Sequence, residues 1–484
     1  VEVAAGQVLA LDLGTSSVRA LVFDAEGKAV PGLLARRKTH LAIDDDGKAE
    51  LDPDEVVNAV GECLDELAAS GRLDPVQDMA ISCAWHSVIA ADADGRPRTG
   101  ALTWADTRAA ELVPSLRERV DPERLLARTG ALPHTTFWTV KVPWLARTLT
   151  PPPARYLGLS EHVTARLLGE PGASISMASG TGLLDLETMD WNDEALDLAG
   201  VGREALPEVL PQSWTGRLAL EGARRWPALA EASWHPVIGD GAASNVGAGC
   251  VTPEHANINV GTSAAIRVVH DDPGAPLRRA LWRYRVDDRR LVTGAAYSGA
   301  GNLWAWSKEV LRLPADDEME AALSSVPPGA RGVSVMPYHA GARAPLDLLT
   351  GSGAILGLSL VTTAVEIVAA TLEAVCFRLA VGLEALEAVL PEPPKVVASG
   401  GAIVASPWWQ QTMANALDRP VLVTDEPEAS ARGAALVALG KVTSPETDRV
   451  VEPQPEAVEA ERQARTRHEN FATRLGYAWG PGYP

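Results

Sequence analysis

Val8-Leu9-Ala10-Leu11-Asp12-Leu13 is a short apolar run interrupted by one carboxylate. Gly14-Thr15-Ser16-Ser17 follows, and then a second apolar stretch from Val18 to Phe23, closed by Asp24. The pattern predicts strand, tight glycine turn, strand. It occurs again: His255-Ala256-Asn257-Ile258-Asn259-Val260 runs into Gly261-Thr262-Ser263 and on through Ala264 to Val269, closed by His270 and Asp271. The two turns stand about half of the 484-residue chain apart, which reads as one old duplication and not as a solenoid array with a period of roughly 20–50 residues. Two similar α/β domains facing each other are the expected architecture.

Composition sets the outer limits. At roughly 150 residues per domain, 484 residues predict two or three domains, and a composition of 46% hydrophobic and 22% charged residues is that of an ordinary globular chain. A single short binding module and widespread disorder are both excluded. The net charge of −20 repels phosphate backbones and anionic lipid, so neither nucleic acid nor a membrane is an expected partner. No stretch approaches the roughly 18 apolar residues of a membrane span, and the opening Val1-Glu2 shows no basic region before an apolar run. A soluble, unexported, cytoplasmic protein is expected. Cys63, Cys83, Cys250 and Cys376 lie far apart without C-x-x-C spacing, and are expected to be reduced, buried small hydrophobes.

Between the hairpins, helical and turn-rich segments alternate, with Pro151-Pro152-Pro153 and Pro171-Gly172 as breakers; these suggest insertions on the first domain. Thr363-x-x-Glu366 is a capping box opening a long amphipathic helix that ends before Pro391. Val396-Val397-Ala398 reads as a buried strand ending at Ser399-Gly400-Gly401, and Ser406-Pro407 as the N-cap and first turn of a helix running through Leu417. Strand, glycine pair and helix are the grammar of a nucleotide site. The division expected is 1–245, 246–442 and a C-terminal helix and tail, 443–484, packed on the outside.

In each Gly-Thr-Ser turn, glycine permits close approach, and hydroxyls with amides form a concave donor nest suited to phosphate. One such turn is usually a plain hairpin; two at equivalent positions are stronger. Asp12, two residues before Gly14, is placed to hold magnesium through water. Arg19, on the outgoing strand, either neutralises phosphate or is an exposed strand arginine. Asp240 stands between Gly239 and Gly241 after a short apolar run. It suits a base acting on an attacking hydroxyl in phosphoryl transfer, against the simpler reading of an aspartate fixing its own turn. Trp85-His86-Ser87 and Trp104-Ala105-Asp106-Thr107-Arg108 each follow an apolar run, and their aromatic, imidazole, carboxylate and guanidinium groups suit a polyol. His86 alone would more often be structural. H-E-x-x-H, G-x-S-x-G and the Walker-type G-x-x-x-x-G-K-[ST] are absent from the sequence.

Along nearly its whole length the chain resembles the FGGY carbohydrate kinases of the actin, hexokinase and Hsp70 ATPase superfamily. Asp12 through Arg19 resembles that family's first phosphate hairpin and Gly261-Thr262-Ser263 its second; Asp240 falls at its catalytic aspartate, at the usual distance before Thr262. Gly357-Leu358 with Glu366-Ile367 and Ala370 to Glu373 resembles its C-terminal signature. Ser399-Gly400-Gly401 with Trp408 to Pro420 resembles its adenosine segment, and Asp425 to Ala435 the Gly-Ala helix after it. Trp85 to Ala90, Thr103 to Arg108 and Met177 to Gly182 are more similar to gluconokinases than to xylulokinases or glycerol kinases. The sequence departs from the pattern at Ala342, where glutamate is usual, at Ser352, where arginine is common, and at Trp138, although Lys141 and Trp144 are kept.

The resemblance implies two actin/hexokinase-like (ribonuclease H-like) α/β domains with a nucleotide cleft between them. It also implies transfer of the γ-phosphoryl group of ATP to a terminal hydroxyl of a sugar or sugar acid, with D-gluconate favoured over a pentulose or polyol. Asp240 is then the catalytic base, and Asp12 and Asp240 help hold Mg²⁺. Thr15, Ser16, Ser17, Arg19, Gly261, Thr262, Gly301, Gly400 and Gly401 line the nucleotide. Trp85, His86, Trp104, Asp106, Arg108 and Lys141 line the sugar, with Arg108 and Lys141 the candidates for its carboxylate. Domain closure on the sugar is expected, and a homodimer is compatible with the resemblance. The rival readings are another acceptor, a chaperone-like ATPase, and an inactive sugar and nucleotide sensor.

Overall fold

The computed structural model of the protein describes residues 6–169, 172–339, 341, 353–446 and 449–477. The departures at Ala342 and Ser352 lie outside these residues.

Both Gly-Thr-Ser hairpins form, and each is the centre of a sheet. In the first sheet Val8–Leu13 pairs antiparallel with Ser17–Phe23 and parallel with Asp78–Cys83. Ala29–Lys38 continues antiparallel beyond Ser17–Phe23, and the short strands Ser233–Trp234 and Ile238–Gly239 run parallel to Asp78–Cys83 on the other side. In the second sheet His255–Val260 pairs antiparallel with Ala264–His270, which pairs antiparallel with Leu291–Tyr297. On its other side His255–Val260 pairs parallel with Lys395–Ser399, and that strand with Val421–Val423. Three antiparallel strands followed by parallel ones, in the same order, is the ribonuclease H-like topology twice over. The second sheet carries two further edge strands, Trp282–Arg285 and Arg449–Val451.

The local reasons are those legible in the residues. Val8–Leu13 is buried at every position, as a central strand covered on both faces must be. The helix Pro53–Ala69 starts on Asp52, whose carboxylate accepts from the amides of Asp54 and Glu55. The helix Ala364–Glu387 starts on Thr363 with both halves of the capping box formed, and most of its length is buried under the second sheet. Pro407–Leu417 starts on Ser406. The insertions of the first domain, from Val88 to Leu206, enclose an apolar cluster of their own. Beyond residue 443 the chain supplies the edge strand Arg449–Val451 and the helix Pro455–Arg474, which buries Glu461 and His468.

The two halves meet through two helices, Asp240–Gly247 and Ala429–Ala438. Their backbones touch at glycines: a Cβ on Gly247 would stand 1.8 Å from the carbonyl oxygen of Ala429, and one on Gly433 would stand 1.8 Å from that of Ala243. Ala431, Ala434, Ala435 and Leu436 thereby join the core of the first half. Arg432 locks the crossing, donating from Nη1 to the Gly247 carbonyl at 2.7 Å and from Nε to the Gly27 carbonyl at 3.1 Å. All four cysteines are buried and unpaired. Among the described residues no helix is long and apolar enough to cross a membrane.

Candidate active site

Asp240 is the first residue of its helix, with Gly239 as N-cap. Its Oδ1 accepts from the amide of Gly241 at 2.9 Å and from that of Trp85 at 3.4 Å, so the aspartate does fix its own turn and is also tied to the Trp85-His86 loop. The flanking glycines have a steric reason. A Cβ on Gly239 would stand 1.8 Å from Trp85 Cε2, one on Gly241 2.7 Å from Cζ3, and one on Gly180 2.4 Å from Cδ1. The indole fills the space that side chains there would take, while its Nε1 donates to the Ser176 carbonyl at 3.0 Å.

His86 has a left-handed backbone, φ 73°, a strained state for a bulky residue and one that clusters at functional sites. Its Nδ1 lies 2.5 Å from the Gly180 carbonyl; an oxygen acceptor there requires the Nδ1–H tautomer. The ring meets Phe137 and Tyr284 edge-on at 5.4 Å and 5.5 Å.

Trp85, His86, Trp104 and Asp240 line one cleft together with Ser263, Ala264, Ala265, Arg267, Trp282, Tyr284 and Ala296. The first four come from the first half and the rest from the second sheet. Trp282 and Tyr284 stack at 4.4 Å, 9° from parallel, and Tyr284 meets Trp85 edge-on at 5.0 Å. Their strand is pinned to the first half, since the Arg283 amide donates to Gly130 and the Arg285 amide to Ser179 Oγ.

Three of the residues expected at the sugar have partners within the protein. Lys141 is fully buried, and its Nζ donates to the carbonyls of Thr103 at 2.5 Å, Thr136 at 3.1 Å and His86 at 3.4 Å. It braces the loops carrying His86 and Trp104 from behind, and is not turned to a substrate carboxylate. Asp106 is buried too, accepting from the Ala49 amide and from Arg108 Nε and Nη2. Arg108 spends its charge on Asp106 and Glu50 and lies 4.9 Å over the Trp144 ring. Arg267, Trp282 and Tyr284 were not singled out in the sequence. The alternation Trp282-Arg283-Tyr284-Arg285 was the available signal, placing two aromatics on one face of a strand.

At the first of the two turns expected to meet phosphate, the amide of Gly14 donates to the Ser17 carbonyl at 3.1 Å, and Thr39 ties back the carbonyls of Ser16 and Thr15. In the second turn the Gly261 amide donates to Ser263, while Gly301 and Asn302 donate to the carbonyls of Gly261 and Thr262 at 3.0 Å each. A Cβ on Gly301 would stand 2.4 Å from the Gly261 carbonyl, and one on Gly400, φ +95°, 2.6 Å from that of Val260. Three glycines distant in sequence thus meet at one turn, while Gly401 faces open space. Arg19 donates from Nη1 to Asp12 Oδ2 at 3.5 Å and Glu428 Oε2 at 2.9 Å, which makes it a bridge between the halves. Burial pushes the Asp12 carboxyl up to about 6; Arg19 lowers it and Asp240 adds to the rise.

The match to known proteins is direct. Residues 7–247 match the N-terminal domain, and residues 256–440 the C-terminal domain, of the FGGY family of carbohydrate kinases. The chain belongs to that family. It is therefore a carbohydrate kinase, with ATP as phosphoryl donor and a carbohydrate hydroxyl as acceptor. Among FGGY kinases it is 27% identical over 461 residues to the gluconokinase of Bacillus subtilis (strain 168), covering 90% of this chain and 88% of that one. It is 29% identical over 452 residues to the glycerol kinase of Rhizorhabdus wittichii, covering 89% and 87%. In fold it matches the gluconate kinase of Lactobacillus acidophilus with TM-score 0.87, at 24% identity over 98% of this chain and 99% of the other. A ligand-bound xylulose kinase from the same organism matches with TM-score 0.88, at the same identity and coverage.

Proposed function

We propose that the protein transfers the γ-phosphoryl group of ATP to the terminal hydroxyl of D-gluconate, giving 6-phosphogluconate. The observation that carries the chemistry is Asp240: a carboxylate held by two backbone amides on the wall of an aromatic cleft that also reaches Ser263 of the second turn. The gluconokinase relatives, aligned over 90% of the chain, support the acceptor.

In this reading the sugar lies against Trp85, His86, Trp104, Trp282 and Tyr284. Asp240 takes the proton of the attacking hydroxyl as its oxygen bonds to the γ-phosphorus and the bond to the β,γ-bridging oxygen breaks, releasing ADP. The Thr15 and Thr262 turns receive phosphate oxygens, and the adenosine lies over Gly400 and Gly401. Asp12 and Asp240 fit a magnesium ion, because the buried Asp12 carboxyl, already pushed up by desolvation, is pushed further up by Asp240, and a cation beside the two carboxylates would relieve this. Among the described residues no cluster of three or more acidic, histidine or cysteine ligands exists, as suits an ion that keeps several waters and arrives with phosphates. Bound there, it would neutralise charge on the transferring group.

The test is sugar-dependent ADP release from Mg·ATP across gluconate, other sugar acids, xylulose, ribulose, glycerol and no sugar. Stimulation by gluconate above the others is expected. Stimulation by a ketopentose instead would keep the kinase and discard the acceptor.

A further inference from the structure

We infer that Arg267 is the residue that binds the carboxylate of the acceptor and makes this kinase selective for a sugar acid over a neutral sugar. The inference rests on the acceptor reading above and names the group that enforces it.

Arg267 lies on the strand Ala264–His270, four residues beyond Ser263 of the second turn. In register it faces Gly294, and Gly294 faces Trp282, so all three share the sheet face that forms the cleft wall with Ala265 and Ala296. Room is made for it on both sides. A Cβ on Gly294 would stand 3.0 Å from Arg267 Cγ, and one on Gly241 would stand 2.9 Å from its Nε and 3.0 Å from its Cζ. The guanidinium therefore lies beside the residue that follows Asp240.

Arg267 is the one permanent cation among the described lining residues of the cleft, and Nε and Nη1 are both shut off from solvent with no hydrogen-bond acceptor. A guanidinium left so is costly unless a ligand completes it, and a carboxylate is the planar, two-oxygen acceptor that matches its fork. Burial lowers the Arg267 pKa, with Asp240 opposing; an arriving anion relieves the same desolvation. The cations expected from sequence, Lys141 and Arg108, are both consumed elsewhere.

The experiment compares D-gluconate with its neutral amide, D-gluconamide, which keeps the same terminal hydroxyl, in wild type, Arg267→Lys and Arg267→Met. Wild type should favour the acid in kcat/KM by on the order of 10²-fold, the scale of a charge-assisted hydrogen-bonded pair. Arg267→Met should collapse that ratio to within a few-fold, by raising KM for the acid, and Arg267→Lys should keep part of it. Equal losses on acid and amide in Arg267→Met would overturn the assignment and make Arg267 an electrostatic partner of Asp240. A wild type with no preference for the acid would overturn it without any variant, should Arg267→Met fail to fold. A wild type that phosphorylates xylulose and ignores gluconate would instead sink the acceptor reading itself, and this inference with it. Gluconate turnover whose acid preference survives in Arg267→Met sinks the inference alone.

Discussion

Trp85 occupies the position that a side chain at Gly239 would take, with Cε2 1.8 Å and Nε1 2.0 Å from where that Cβ would be. The indole and the Asp240 turn are therefore one steric unit. Gly239→Ala should expel the ring or shift the turn, lowering stability by about 1–3 kcal/mol as overpacking does. Sugar-dependent kcat/KM should fall with it. Wild-type melting and kinetics in that variant would show that the two are not coupled.

Asp240→Asn keeps the shape and the amide contacts of the turn but removes the proposed base. The chemical step should slow by on the order of 10²–10⁴-fold, while sugar and nucleotide still bind by calorimetry. Near-normal single-turnover rates would remove Asp240 from that role.

Lys141→Met should behave unlike Arg267→Met. It strands three buried carbonyls, those of His86, Thr103 and Thr136, at a cost of about 3 kcal/mol or more. Thermal unfolding should report this loss, and the activity lost should be the same on gluconate and gluconamide. A selective loss on the acid would return Lys141 to the carboxylate site.

Gly433→Ala tests the crossing between the halves. With the Ala243 carbonyl 1.8 Å from the new Cβ, the helices must separate, and they carry Asp240 at one start and Glu428, the partner of Arg19, at the other. A lowered melting temperature together with lost activity is expected; an unchanged melting temperature would mean that the crossing has slack.

Glu461 gives a pH signature. Burial pushes its carboxyl up to about 8, Arg467 opposing, and Glu373 beside it is raised by burial and by Glu461. The folded state thus holds protons that the unfolded chain releases in the ordinary carboxylate range, so this pair's contribution to stability falls as pH rises from there to about 8. His468, lowered to about 4 by burial with Arg378 and Arg465, acts in the opposite sense, but only up to the ordinary imidazole range, about 6.5. Glu461→Gln should therefore raise the melting temperature relative to wild type by an amount that grows between about pH 6.5 and 8. A difference independent of pH would show that Glu461 is ionised throughout.

Much of the fold was legible because it is written locally. The hairpins follow from apolar runs around glycine turns, and the helix starts at Thr363 and Ser406 from hydroxyls that accept from backbone amides three residues on. The Asp240 position was legible too, although what its flanking glycines make room for was not: they admit Trp85, 155 residues away in the chain.

The chain's own sequence determined the duplicated sheets, the two phosphate-type turns, the aspartate between glycines and, through the order of its motifs, the kinase family. Which charged residues face the cleft was decided only by tertiary structure. Lys141, Arg108 and Arg267 are equally cationic in the sequence, but the first is surrounded by carbonyls and the second by Asp106 and Glu50. The third stands on a sheet wall that gains its opposite side only when the first half packs against it. A side chain's charge is a local property; the partners that neutralise it come from segments far apart in the chain, and only the packing of the two halves chooses them.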